Sequence, residues 1–357
     1  MEKNPAAGAP IAVDRPLLDI ADLSVEYRTF DGVVSAVNGL NLSIGAGENL
    51  GLVGETGAGK TTTALTVLKL LPPRVGFVTG GRVVFEGRDL LRAPEHDMQT
   101  VRGNRISMIF QNPMTSLNPV FTVEQQIQGV LMQHQHLSKE EAKERVGAML
   151  ELVGISRRRA LEYPHQFSGG MRQRVSIAIA LSCNPKLLIA DEPTTALDVT
   201  IQAQVLKLMN DLKSQFNTST IMITHDLGIV AENCDTVAVM YAGTVVERAP
   251  VKDLFEDPRH PYTVGLFGSL PDPDSTKERL DPIPGSPPDP MALPAGCHFA
   301  PRCRKKRPEC DEARPVLRQT AAGHYVMCHL AREDAGAGTG TGVGADAGVS
   351  SAGGDAR

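Results

Sequence analysis

The sequence predicts an α/β protein organised around a largely parallel β-sheet, and three observations carry that prediction. Short apolar runs at 49–53, 106–110, 187–190 and 220–224 have the length of buried strands, and helical patterns at 60–71 and 201–215 alternate with them. A glycine-rich turn joins the first of these strands to the first helix. Ahead of that turn, residues 17–44 hold β-patterned runs punctuated by Asp31-Gly32 and Asn38-Gly39, which read as hairpin signals.

Each element follows in order. Residues 1–15 are rich in Ala and Pro and are expected to be disordered. Runs at 23–27, 33–37 and 40–44 form an N-terminal β layer, and Pro72-Pro73 stops the helix that begins near Lys60. Residues 123–161 are helical and more polar, which suggests an inserted helical layer spanning about 112–166. One large domain is thus expected over 16–258. Prolines crowd 271–294 and predict a stiff linker; the segment 259–331 carries four cysteines, and 332–357 is Gly/Ala-rich and expected to be disordered.

The chain has 357 residues, 41% hydrophobic and 22% charged, which is enough for a substantial core. A net charge of −5 leans against a nucleic-acid partner. No run approaches the roughly 18 consecutive apolar residues of a membrane span, and Met1 to Pro16 lacks the apolar centre of a signal peptide. Membrane association is therefore expected through a partner, and the six cysteines are expected to be reduced thiols.

Residues 54–61 read GETGAGKT, matching G-x-x-x-x-G-K-[ST] between a strand and a helix. In that pattern the backbone of Gly54, Glu55, Thr56, Gly57, Ala58 and Gly59 wraps phosphate oxygens, aided by the positive end of the following helix. Lys60 is expected to reach the β- and γ-phosphates of a nucleotide, and Thr61 to hold Mg²⁺. Asp191 and Glu192 end the run 187–190, so neighbouring carboxylates point different ways: Asp191 suits Mg²⁺ and Glu192 suits polarising a water. Ser168 with Gly169 and Gly170 precedes a further helical pattern, 171–182, as an N-cap with exposed backbone N–H groups. One γ-phosphate meets two helix ends only if they converge, and the simplest arrangement is a two-fold or pseudo-two-fold dimer.

The segment FSGGMRQR at 167–174 resembles the signature of the ATP-binding cassette (ABC) ATPases, and the other family motifs occur in order over 17–258. The resemblance implies a P-loop NTPase fold with a RecA-like parallel core, an N-terminal antiparallel β subdomain, an inserted helical subdomain and a small irregular C-terminal extension. It implies roles for Gln111 at Mg²⁺ and the γ-phosphate, for Ser168, Gly169, Gly170 and Gln173 in the signature, and for Asp198 in the loop 196–198. His225 resembles the switch histidine acting with Glu192 and Lys60. Tyr27 lies where the family stacks adenine, with Thr62 beside the P-loop; Phe30 is the alternative.

FQNPMTSLNP at 110–119, HPYT at 260–263, PIPGSPP at 282–288 and GCHFAPRC at 296–303 are similar to the oligopeptide/dipeptide/nickel importer group. That resemblance implies an ATPase at the cytoplasmic face of the membrane, driving uptake of small peptides, with nickel as the alternative cargo. The implied partners are two membrane-spanning permease subunits, a homologous ATPase subunit or second copy, and an extracytoplasmic binding protein. Cys297, Cys303, Cys310 and Cys328 provide four thiolates whose spacing does not name a metal. The resemblance implies a [4Fe–4S] cluster, with Zn²⁺ or no metal as alternatives. A nucleic-acid-associated ABC ATPase is the rival class; it is disfavoured because only about a hundred residues separate P-loop and signature and one cassette is present.

Overall fold

The computed structural model describes residues 15–195, 197–269 and 282–331; the tails at 1–14 and 332–357, the linker residues 270–281, and Ala196 lie outside the described residues. β1 (Leu18–Thr29) and β2 (Gly32–Ile44) form an antiparallel hairpin across Phe30-Asp31, as the Asp31-Gly32 signal predicts. Asn38-Gly39 is no turn. It lies inside β2 at a break in register, with Gly39 at φ 60°, while Asn38 Nδ2 donates to Ser35 O and Ala242 O. The polar pair thus ties the hairpin to the neighbouring sheet. β3 (Asn49–Val53) leads into α1 (Lys60–Val67), which stops before the expected 71 because Lys69 turns left-handed at φ 50°. β4 (Gly76–Phe85) and β5 (Arg88–Asp89) then complete a four-stranded antiparallel sheet in the order β2-β1-β4-β5.

α2 (Glu95–Val101) and β6 (Ile106–Ile109) precede a helical region made of α3 (Pro113–Ser116), α4 (Val123–Gln135) and α5 (Lys139–Leu152). α4 and α5 both begin with capping boxes, Thr122 with Gln125 and Ser138 with Glu141. α6 (Gly169–Leu181), β7 (Leu187–Asp191), α7 (Val199–Phe216), β8 (Ser219–Ile223), α8 (Leu227–Asn233), β9 (Thr236–Tyr241) and β10 (Thr244–Pro250) follow. The C-terminal portion adds α9 (Val251–Glu256), α10 (Pro261–Gly268), α11 (Glu309–Glu312), β11 (Arg318–Ala321) and β12 (His324–Val326). Among the described residues, no helix is long and apolar enough to cross a membrane.

The eight-stranded sheet runs β11-β12-β10-β9-β3-β8-β7-β6, parallel from β9 to β6 and antiparallel beyond. Alternation along each central strand feeds two cores. Leu187, Ile189, Ile221 and Ile223 pack towards the antiparallel sheet, whereas Leu188, Ala190 and Met222 pack towards the helical region and α7. Burying each of the Leu, Ile and Met side chains contributes about 2 kcal/mol, and burial on both faces is why these strands read as continuous apolar runs. A third core joins Val237, Val239 and Tyr241 of β9 to Tyr262 and Phe299, so the C-terminal extension is built onto the sheet rather than tethered to it.

Candidate functional site

β3 ends buried at Val53, and the loop 54–59 turns back over its end. Two glycines make that turn possible. A Cβ on Gly54 (φ 152°) would meet Met240 O at 2.2 Å, and one on Gly59 (φ 100°) would meet Ala36 O at 2.5 Å. Thr56 and Gly57 form the exposed tip of the loop, while Ala58 is buried. Gly59 caps α1, whose first residue is Lys60. The Lys60 ammonium is buried and donates to Gly54 O at 2.7 Å and Glu55 O at 3.0 Å. Burial lowers its pKa, against the opposing pull of Glu192, Asp191 and Glu55.

The adjacent parallel strands β8, β7 and β6 deliver the remaining groups at their carboxyl ends. Asp191 closes β7 and is buried, which raises its pKa; a hydrogen bond from Thr61 and the charge of Lys60 oppose that rise, while Glu192 adds to it. A hydroxyl beside a buried carboxylate is an all-oxygen donor set that suits Mg²⁺. Glu192 faces the other way. Its Oε2 accepts from Gln111 Nε2 and from Thr195 Oγ1, both at 2.9 Å, and its Oε1 lies 3.1 Å from His225 Nδ1. Burial pushes the Glu192 carboxyl up, but the bonds from His225, Thr195 and Gln111 outweigh it and hold the pKa below its ordinary value. Three sequence-selected residues, Gln111, Glu192 and His225, thus converge, and Thr195 joins them unannounced; its signal was a hydroxyl three residues beyond the acid. On the other flank Tyr27 of β1 places its hydroxyl 3.2 Å from Thr62 Oγ1, one residue past the P-loop threonine, while Phe30 points fully into solvent in the hairpin loop.

The signature is a separate surface. Ser168 caps α6 by accepting the Met171 N–H at 3.4 Å, and Ser168 and Gly169 are exposed. Gly170 lets α6 approach α7: a Cβ there would meet Ile201 Cγ2 at 2.6 Å. Gln173 departs from expectation. It is 1% exposed, so it points into the protein rather than onto the face that Ser168 presents, and its Nε2 has no hydrogen-bond partner among the described residues. Asp198 stands at the N-cap of α7 without capping it and is exposed.

Comparison with known proteins agrees with this geometry. The model of the ABC transporter family matches residues 37–195, and that of the oligopeptide/dipeptide transporter C-terminal region matches 246–310. The chain is 51% identical over 322 residues to the oligopeptide transport ATP-binding protein OppD of Bacillus subtilis, covering 89% of this chain and 90% of that one. It is 48% identical over 316 residues to the dipeptide transport ATP-binding protein DppD of the same organism, covering 88% and 94%. This chain belongs to the ATP-binding subunits of the oligopeptide/dipeptide ABC transporter family. Among solved structures it resembles the dimeric cassette MJ0796 bound to ADP and Pi, with a TM-score of 0.59 at 25% identity over 66% of this chain and 98% of that one. The ABC ATPase fold and ATP hydrolysis coupled to transport follow from that membership.

The C-terminal region of this ABC subunit holds Cys297, Cys303, Cys310 and Cys328 as free thiols. Burial pushes Cys297 up to about 11, and the nearby Cys310 and Cys328 add to the rise; burial raises Cys303 and Cys328 likewise. The Cys297 N–H donates to Cys310 O at 2.8 Å. Four thiols are the right donors for zinc or an iron–sulfur cluster. As they stand, however, no group of three or more His, Cys, Asp or Glu among the described residues is arranged to hold a metal ion.

Proposed function

We propose that this chain is the motor of a peptide importer and that Glu192 is the residue its catalysis turns on. The observation that carries this reading is the convergence of Gln111, Thr195 and His225 on one carboxylate, next to the Thr61–Asp191 pair and the Lys60 loop. Thr61, Asp191 and Gln111 would hold Mg²⁺, which would supply charge neutralisation on the phosphates. Within the loop 54–62, the backbone N–H groups other than those of Glu55 and Ala58, which donate to Tyr262 and Glu55, bind the phosphates with the Lys60 ammonium, and Tyr27 supports adenine. Glu192 accepts the proton of the attacking water, while His225 holds that carboxylate in place. Two cassettes, from a second copy or a homologous partner, close so that Ser168, Gly169 and Gly170 of one reach the ATP of the other, with Asp198 at the junction; the buried Gln173 acts in packing there.

We place the ATPase domain at 16–258, with its helical part near 112–166, and a transporter-type C-terminal domain at 259–331. Downstream of Gln111 in the chain, Met114, Val120 and Phe121 are exposed at 60%, 71% and 48%, apolar side chains fit to meet a helix of a membrane-spanning permease subunit. Docking there puts the chain at the cytoplasmic face of the membrane, with an extracytoplasmic binding protein delivering peptide. The four C-terminal cysteines are proposed to hold a [4Fe–4S] cluster, with Zn²⁺ as the alternative, as a structural staple; four free thiols in one short segment support this reading.

The test is the ATPase rate of the complex purified anaerobically with its membrane subunits and binding protein, titrated with peptides of two to five residues and with chelated nickel. Stimulation by peptides alone is expected; stimulation by nickel alone overturns the cargo. Iron, sulfide and zinc are assayed in the same preparation, and finding none of them removes the staple.

A further inference from the structure

Glu55 is the second residue of the phosphate loop, and the C-terminal extension grips it twice. Arg302, in the short turn between Cys297 and Cys303, places its guanidinium against the Glu55 carboxylate in a two-pronged pair, Nη1 to Oε2 at 2.7 Å and Nη2 to Oε1 at 3.1 Å. The Glu55 N–H donates to Tyr262 Oη at 3.0 Å. The remaining group of the residue, its carbonyl, accepts from Lys60 Nζ at 3.0 Å. Side chain, N–H and C=O of a single loop residue are therefore all held, two of them from more than 200 positions away in sequence.

The Arg302 side chain is itself fixed. It is buried, its Nε donates to Pro284 O at 3.0 Å, and Nη1 also reaches Tyr241 Oη at 3.4 Å. Tyr262 is locked between Tyr241 and Phe299, with ring centroids 4.6 and 5.5 Å away. The proline-rich segment completes the contact: Ser35 N donates to Pro290 O at 2.9 Å, and a cavity of about 130 Å³ separates Glu55–Ala58 from Pro287, Pro288 and Leu293. A carboxylate inside an anion-binding loop opposes phosphate and competes for the lysine beside it. An arginine fork is the side chain best shaped to cancel that charge.

We propose that Arg302 is a positioning residue for nucleotide binding: it neutralises Glu55 and fixes the loop, so that the C-terminal extension sets the affinity of the P-loop for ATP. This rests on the reading of 54–61 as the ATP phosphate site.

The test is a double-mutant cycle on the full-length chain, with ATP–Mg²⁺ binding measured by calorimetry and turnover by steady-state kinetics. Arg302→Met weakens ATP binding about tenfold and raises KM more than it lowers kcat, because the exposed charge acts on binding. Glu55→Gln keeps the hydrogen-bonding shape, removes the charge and binds ATP at least as tightly as the wild type. The double variant returns to within about threefold of Glu55→Gln, a rescue that loss of packing at Arg302 does not allow. A double variant as weak as Arg302→Met overturns the proposal. If Arg302→Met does not fold, Glu55→Gln decides alone, and weakened binding there overturns it. Lys60→Ala separates the two claims: normal ATP binding by that variant refutes the phosphate site itself, whatever the cycle shows.

Discussion

Glu192 has a left-handed backbone, φ 46°, at the end of a strand whose preceding residues are extended. A non-glycine residue there costs about 1 kcal/mol or more, and the geometry shows what the strain accomplishes. It swings the second carboxylate away from the first, so Asp191 meets Thr61 while Glu192 meets Gln111, Thr195 and His225. The Glu192 N–H is kept in the sheet by donating to Ile223 O at 2.8 Å. Glu192→Gln is expected to retain ATP binding and lose turnover by about 10²–10³-fold, trapping a closed dimer; normal turnover removes Glu192 from its role. Thr195→Val tests the same carboxylate more gently. Burial raises the Glu192 pKa and three donors hold it down, so deleting one donor moves the pKa upwards. Glu192 must be ionised to take a proton, and the acid limb of the kcat/KM profile is therefore expected to shift to higher pH. An unmoved limb shows that the limb belongs to another group.

At the scale of elements, β3, β6, β7 and β8 were legible because they are short, largely buried and apolar, and no charged residue interrupts them before the motif at each carboxyl end. The site was legible for the same reason, since its residues sit directly after those strands. β10 was not. Glu247 and Arg248 lie in its middle and are buried, because Glu247 accepts from Arg259 N, His260 N and His324 while Arg248 pairs with Glu48 at 3.0 Å. Partners so distant in sequence leave no local trace. β4 carries Gly80 and Gly81 opposite a bulge of β1, and glycines in a strand interior weaken its sequence signal. Arg302 was missed because only tertiary contact gives it a task, and Thr195 because a hydroxyl three residues beyond an acid is a weak local signal. The loop before α4 yields the prediction proper to this scale. Val120 and Phe121 stand out from it exposed, so replacing them costs the fold little. Val120→Asp with Phe121→Asp is expected to cut co-purification with the membrane subunits at least about tenfold while leaving the melting temperature near that of the wild type. Full recovery of the complex places the docking surface elsewhere.

Across the whole molecule, the extension is held to the cassette by a buried polar knot as well as by apolar packing. The fully buried Glu247 of β10 takes the N–H groups of Arg259 and His260 at the entry to α10 and lies 2.7 Å from His324 Nε2 on β12. His260 completes the knot: its Nδ1 accepts the Tyr262 N–H at 3.1 Å, and its ring also bonds the backbone of Met327. Burial lowers its pKa to about 4, despite the opposing charge of Glu247 and the Met327 contact. Between pH 6.5 and about 4 the unfolded chain therefore holds a proton that the native state refuses. Stability contributed by neutral His260 is complete above pH 6.5 and is lost as pH falls through this window, by up to about 1.4 kcal/mol per pH unit. Because Tyr262 reaches the P-loop at Glu55, loosening this knot also releases a support of the nucleotide site. His260→Asn retains an acceptor for the Tyr262 N–H at the helix start and removes the titration. Urea unfolding of the two proteins between pH 5 and 7.5 is expected to show a shallower decline in stability for the variant, by about one proton's worth of slope, although the variant is less stable at pH 7.5. Equal slopes show that His260 is not the group that takes up the proton.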